Sequence, residues 1–253
     1  MIRAVVFCFV FVLTNASLVL LFPFSRSRFL LCLGLYGTGT FFMLWVLFHP
    51  RSQWLAASRW QVPCYDKPCV ALTFDDGPTP FSTPRLLRIL REKDVKATFF
   101  VIGERAEEQA ELLARISAEG HLIANHTYSH PSLFCFLTPS RLRNEIEKGQ
   151  EVIHRICGVR PRFFRAPVGL KHPLLDLYLK EAGLEMISWR LRAFDTLAQK
   201  PEVLMRRIIA DAAPGDIILL HDKASTGAEG MLNELPHLID ELKARGFAFV
   251  VVQ

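Results

Sequence analysis

The apolar positions of this chain follow two regimes. Up to residue 49 they run almost unbroken: Ala4 to Phe22 is nineteen residues without a charge, and Phe29 to Phe48 is twenty. At 1.5 Å per helical residue, either run can cross a hydrocarbon core ~30 Å thick. Pro23 to Arg28 is short enough only for a tight turn, so residues 1–49 read as a membrane hairpin with spans of about 4–22 and 29–48. The competing reading is a secretory signal peptide, with Arg3 as its basic start and Thr14-Asn15-Ala16 as a cleavage site. The apolar run continues past Ala16 and a second follows at once, which favours the hairpin. Residues 50–68 form a linker, and 69–253 a folded domain.

From Cys69 onward, strand-like apolar runs alternate with helical patterns. The strands expected are Cys69–Phe74, Ala97–Ile102, His121–Asn125, Arg162–Arg165, Leu184–Trp189, Asp216–His221 and Phe247–Val252. Six helices separate them. Thr83-Pro84 and Thr138-Pro139 each give an N-cap followed by proline at the first helical position. Gly120, Gly158, Gly183 and Gly246 mark helix ends. Strands alternating with helices imply a parallel sheet covered by helices. For ~200 residues an incomplete, seven-stranded relative of the (β/α) barrel comes first and a doubly wound open sheet second. Both place a ligand site at the carboxyl ends of the strands.

Composition sharpens this picture in two places. The chain has 253 residues, 51% hydrophobic, and a net charge of +5. Only Arg3, Arg26 and Arg28 are charged in residues 1–49, so the remaining 204 residues carry 27 basic against 25 acidic groups, a net of +2. That balance, without a basic cluster, argues against a nucleic-acid partner. A cytoplasmic Arg26/Arg28 turn would put the domain on the outer face, although Arg3, Arg51 and Arg59 make the bias slight. Cys64 and Cys69 can close a short loop in an oxidising compartment, and the sequence leaves that pairing open. No CxxC pair exists to suggest a zinc finger.

Candidate chemistry gathers at the strand ends. Asp75-Asp76-Gly77-Pro78 follows the first strand, where a solvated turn is the plain alternative. His126 and His130 follow the third; four residues apart, they share a face if the stretch starts a helical turn. Arg165 ends the fourth strand, Asp195 follows the fifth and His221 ends the sixth. One Asp and two His form an N/O ligand set that leaves coordination positions open.

These residues resemble the polysaccharide deacetylases of carbohydrate esterase family 4, the NodB-homology domain, over roughly Val70 to Val252. TFDDGP at 73–78, HTYSH at 126–130 and LLHD at 219–222 match in order and spacing. RAPVG at 165–169 matches more loosely, with Val168 where the family usually has an aromatic residue. Trp189 and Asp195 resemble a fourth motif that lacks its usual Asp-aromatic ending. The resemblance favours the incomplete (β/α) barrel, NodB-like; it covers none of the hairpin, and the two transmembrane helices expected before the barrel rest on the apolar runs alone.

The resemblance implies Asp76, His126 and His130 as ligands of a divalent metal, zinc first among candidates. It makes Asp75 the general base, Arg165 its orienting partner, His221 the general acid and Asp195 the residue that orients His221. The backbone N–H of Val168 would help hold the oxyanion. Trp189 and Leu219 would wall the acetyl pocket, with ordinary core packing as their alternative. The function implied is metal-dependent removal of N-acetyl groups from N-acetylhexosamine units of a cell-envelope or secreted polysaccharide. Two alternatives are deacetylation or deformylation of a polyprenyl-linked sugar, and a carbohydrate-binding protein with a dead site. Leu133 to Leu137, apolar for a rim loop, is expected to pack over the following helix; a lesser reading has it dip toward the membrane.

Overall fold

The computed structural model describes residues 26–49, 51–193, 200–222 and 226–253. Helix α1, Arg26–Phe48, comes first. Among the described residues it is the one helix long and apolar enough to cross a membrane, over Phe29–Phe48. The expected span 4–22 lies outside the described residues. Arg26 to Arg28, expected in a turn, instead form the first turn of α1, because arginine is a good helix former and nothing after Ser25 breaks the helix.

All seven expected strands form: the first runs one residue further, to Asp75, the sixth keeps its expected bounds, the other five are trimmed, and two short ones are added. Their ranges are β1 Ser58–Arg59, β2 Cys69–Asp75, β3 Thr98–Val101, β4 Leu122–Asn125, β5 Phe163–Phe164, β6 Glu185–Ile187, β7 Leu191–Arg192, β8 Asp216–His221 and β9 Ala248–Phe249. The additions, β1 and β7, are Ser-Arg and Leu-Arg pairs without the apolar run that marks the equally short β5 and β9 in the sequence. Helices α2 Thr83–Glu92, α3 Gly103–Glu108, α4 Ala110–Ala118, α5 Pro139–Cys157, α6 Leu175–Glu181, α7 Pro201–Asp211 and α8 Thr226–Ala244 connect the strands.

The strands pair in the order β1-β6-β5-β4-β3-β2-β8-β7, all parallel, with β9 joining the opening residues of β2. The order climbs the chain from β2 to β6, as in a barrel, and β8 then returns to the other side of β2. This is a curled, incomplete (β/α) barrel, and the open-sheet alternative is set aside. Alternation along each strand divides the core. Val70, Leu72 and Phe74 of β2 and Ile218 and Leu220 of β8 face the helices. Cys69, Ala71, Phe100, Ala124, Phe163, Ile187, Ile217 and Leu219 fill the interior. A third cluster, around Phe134, Phe164 and Met186, takes in Ala56 just after α1.

The punctuation residues behave as expected with one exception. Thr138 caps α5 through its hydroxyl, and Gly158 follows with φ +73°. At α2 the cap position belongs to Ser82, not Thr83. Thr83 Oγ1 accepts from the Thr79 amide and donates to Asp222, a tertiary bond that outcompetes local capping. Cys64 and Cys69 form a disulfide.

Candidate active site

Strand alternation builds the site. On β2 the interior positions are Cys69, Ala71, Thr73 and Asp75; on β8 they are Ile217, Leu219 and His221. Parallel register pairs Asp75 directly with His221, at the carboxyl end of both strands. The same alternation carries the chain from Ala124 to His126 after β4 and from Phe163 to Arg165 after β5. Four ionisable side chains therefore meet over an apolar floor because each lies an even number of residues from an interior hydrophobe.

Arg165 is wholly buried, and every bond it makes goes to a defined acceptor. Nη1 donates to Asp75 Oδ1 at 2.6 Å and to Thr73 Oγ1 at 2.8 Å. Nη2 and Nε donate to the Ser188 and Ile187 carbonyls at 3.2 and 3.3 Å. The guanidinium lies 3.9 Å from the centre of the Phe100 ring. Burial lowers the Arg165 pKa from its ordinary value against the pull of Asp75. A charge this deep is tolerated because it is paired with Asp75 and every guanidinium nitrogen donates a hydrogen bond. One carboxylate oxygen of Asp75 is thus fixed, while Oδ2 faces His126 Nε2 at 3.8 Å.

Asp76 turns away from the strand with φ +73°. That left-handed conformation is rare for a residue with a side chain, and Asp tolerates it better than most. Arg105 of α3 donates to the Asp76 carbonyl and holds the turn. Its carboxylate Oδ1 stands 3.6 Å from His126 Nε2 and 3.4 Å from His130 Nε2.

The two imidazoles do not share a helical turn, contrary to the spacing argument. Thr127 and His130 have φ +70° and +52°, so the chain folds back on itself. Asn125 Oδ1 accepts from the Thr127 amide, and Thr127 Oγ1 from the His130 amide. Buried Glu145 of α5 takes the Tyr128 and Ser129 amides and the Ser129 hydroxyl. Gly149 of α5 makes room for this turn: a Cβ there would lie 2.7 Å from Asn125 Oδ1.

The donor chemistry fits a divalent cation. Asp76, His126 and His130 each offer a ligand atom, all within 4.8 Å of one another. Donors bonded to one zinc-sized ion at ~2.1 Å stand roughly 3.0–3.4 Å apart, close to the 3.4 and 3.6 Å between Asp76 Oδ1 and the two imidazole nitrogens. His126 Nδ1 hydrogen-bonds the Arg165 carbonyl at 2.8 Å, which puts the proton on Nδ1 and leaves Nε2 as the ligand atom. Burial opposes charge on Asp76, but His126, His130 and His221 outweigh it and hold the carboxyl well below the usual carboxylate range. Burial likewise opposes charge on His126, where Asp75 and Asp76 prevail and raise its pKa. Burial and the neighbouring His126 lower His130 to about 4, leaving it neutral with a lone pair to offer.

A polysaccharide deacetylase family profile matches residues 63–187. A peptidoglycan-N-acetylglucosamine deacetylase of Bacillus cereus is 37% identical over 191 residues, spanning 74% of this chain and 68% of the relative. The chain belongs to the polysaccharide deacetylase family. A chitooligosaccharide deacetylase of a Bradyrhizobium species is 36% identical, covering 70% of this chain and 86% of its own. The crystal structure of a peptidoglycan N-acetylglucosamine deacetylase superposes with a TM-score of 0.70 at 36% identity, covering 76% of this chain and 89% of that one. These likenesses make the chain an enzyme, a polysaccharide deacetylase.

The other site residues anticipated for this deacetylase are placed unevenly. Val168 lies in a short turn, Pro167–Gly169, with φ +56° and its side chain largely in solvent. Trp189 and Leu219 both belong to the interior cluster; Trp189 abuts Gly169, where a Cβ would meet its ring at 2.7 Å. Asp195 lies outside the described residues. The sequence argument missed Glu145, Asn125, Thr73, Arg105 and Asp222. Asp222, inside a motif already singled out, accepts from Ser82 and Thr83 at 2.5 and 2.6 Å and donates its amide to the Asp75 carbonyl. Gly77 must be glycine beside it, since a Cβ would fall 2.3 Å from Asp222 Oδ2. Glu145 gave no local sign, being one of several acidic residues on an amphipathic helix.

Proposed function

We propose that this deacetylase is a metal-dependent, membrane-anchored hydrolase that removes acetyl groups from N-acetylglucosamine-type units of a cell-envelope polysaccharide. The observation that carries the reading is the convergence of Asp76, His126 and His130 beside an Asp75 locked by Arg165 and paired in register with His221. A divalent ion held by the three ligands, zinc by its preference for such N/O sets, would supply Lewis-acid polarisation of the acetyl carbonyl and an acidified water.

The chain's own residues supply the remaining steps. Asp75 Oδ2 takes a proton from the attacking water, whose oxygen bonds to the acetyl carbon. Arg165 holds Oδ1 so that Oδ2 keeps its aim. The Val168 amide donates to the oxygen that gains charge, since a backbone donor does not need the aromatic side chain usual in the family. His221 gives a proton to the nitrogen as the C–N bond breaks, releasing acetate and a free amine. Asp195 is assigned the role of orienting His221. Trp189 and Leu219 wall the space for the acetyl methyl.

The anchor is α1, with Ala4–Phe22 as its partner span; the expected linker 50–68 is partly drawn into the catalytic domain expected at 69–253, since β1 pairs with β6 and Ala56 and Val62 are buried in its core. Support comes from the length and exposure of α1 and from the nineteen uncharged residues before it. The Cys64–Cys69 disulfide suits the oxidising outer face, where such polymers lie.

The test is acetate release by the full chain from peptidoglycan and from N-acetylated chitooligosaccharides, with and without chelator and with zinc added back. Release that depends on zinc supports the reading; release unaffected by exhaustive chelation, or from neither glycan, refutes it.

A further inference from the structure

Three apolar side chains stand in solvent on the barrel end that carries the Asp/His cluster. Leu133 and Phe136, after β4, are 67% and 75% exposed, and Val168, after β5, is 55% exposed. They are not frayed core. Phe134, between the first two, is fully buried and lies 6.1 Å from Phe164, and Cys135 is buried as well. The turn Phe134–Phe136 thus pins itself inward through Phe134 and holds its neighbours out. The expected packing of this segment is therefore met by only part of it.

The end of α1 lies beside Val168. Buried Lys171 donates Nζ to the carbonyls of His49 and Ser52, at 2.9 and 2.8 Å, tying the exit of the helix to the loop that carries Val168. Phe48 and Val168 line one cleft of about 330 Å³ together with Trp189, Arg190, Arg192 and Arg207. The next residue, His172, donates from Nε2 to the Leu137 carbonyl at 3.0 Å while its Nδ1 accepts from the Leu174 amide. An unbroken line of hydrogen bonds and chain therefore runs from His49 through Lys171 and His172 to Leu137, one residue from Phe136. Trp45 stacks on His49 and Phe42 meets Trp54 edge-on, placing tryptophans at the helix exit.

A membrane span ends at the lipid–water boundary, where tryptophan concentrates and arginine meets phosphate. We infer that Leu133, Phe136 and Val168 form a bilayer-contact surface continuous with the end of α1. The mouth of the active site then opens in the headgroup layer, and the glycan it acts on is one held at the membrane surface. The inference rests on α1 being the membrane anchor, and its partner is a phospholipid bilayer.

The test uses the full chain with Cys8, Cys32, Cys135 and Cys157 replaced by alanine, reconstituted into phosphatidylcholine–phosphatidylglycerol vesicles. An environment-sensitive fluorophore is attached at Phe136→Cys or, as a control on another exposed apolar residue after α5, at Val159→Cys. Lipids with brominated acyl chains should quench the first probe about twofold or more and leave the second unchanged. Absence of quenching at 136 in chains that float with the vesicles overturns the surface while leaving the anchor intact. Chains that do not float at all overturn the anchor, and the surface with it. An unlabelled Leu133→Ser/Phe136→Ser double variant gives a second reading. Its deacetylation of a lipid-borne N-acetylglucosamine in vesicles should fall about tenfold, with soluble chitooligosaccharide turnover unchanged. Equal turnover of the lipid-borne sugar by parent and variant overturns the proposal.

Discussion

Replacing Arg165 with methionine keeps an unbranched side chain in the barrel interior and removes every donor it carried. Asp75 Oδ1, Thr73 Oγ1 and the Ile187 and Ser188 carbonyls each lose a bond of 2.6–3.3 Å in a site without water-exposed alternatives. Breaking a buried ion pair by removing one partner costs ~3–5 kcal/mol, because the other charge stays buried. Folding stabilities are ~5–15 kcal/mol, so the variant should fold but melt lower. At ~2–4 °C per kcal/mol for a domain near this size, the melting point should drop by about 6–20 °C. Arg165→Lys should recover little, since one ammonium cannot reach four acceptors spread across a planar fork. The assay is thermal and urea unfolding of the full chain in detergent, alongside acetate release. Repeating Arg165→Met in an Asp75→Asn background isolates the pair: most of the destabilisation should vanish there. A loss under about 1 kcal/mol in the parent, or the same loss in both backgrounds, would refute the account of Asp75 as a carboxylate held by Arg165.

Asp76→Ala should abolish tight zinc binding, measured by elemental analysis after dialysis, whereas Asp75→Asn should keep the metal and lose at least ~10²-fold in turnover. Burial pushes Asp222 up to about 6, although Ser82 and Thr83 donate to it. A raised carboxyl pKa means that the folded state holds the proton more tightly, so stability falls as pH rises from the ordinary carboxylate value, 3.8, through 6 and is level above that. Asp222→Asn should therefore gain stability relative to the parent between pH 4 and 7, by up to about 3 kcal/mol; a pH-independent difference in urea unfolding would contradict this. Gly149→Ala should push the Asn125–Thr127 turn outward, destabilise the fold by ~1–3 kcal/mol and weaken metal affinity, read by calorimetry.

Much of the architecture was legible because it is written in local periodicity. Seven strands, the glycine-terminated helices and the position of the motif residues at strand ends follow from alternation, turn chemistry and the rule that parallel sheets present their carboxyl ends. The two-residue strands β1 and β7 were not legible, since Ser58-Arg59 and Leu191-Arg192 carry no apolar run, whereas the equally short β5 and β9 are apolar pairs. The His126/His130 spacing pointed to convergence for the wrong local reason. A helical turn was expected, and the chain instead uses two left-handed residues braced by Asn125 and Glu145.

Sequence by itself determined which residues could hold a cation and pass protons, because residue type fixes donor atoms and the strand period fixes the side they face. Only the tertiary structure decided which of them meet, and what holds them there. Arg165, Glu145 and Asp222 reach their partners across 90, 16 and 140 residues of chain. No local pattern encodes such distances; they are set when β5, β4, β3, β2 and β8 close side by side and exclude water, leaving each buried charge only the partners that the fold brings to it.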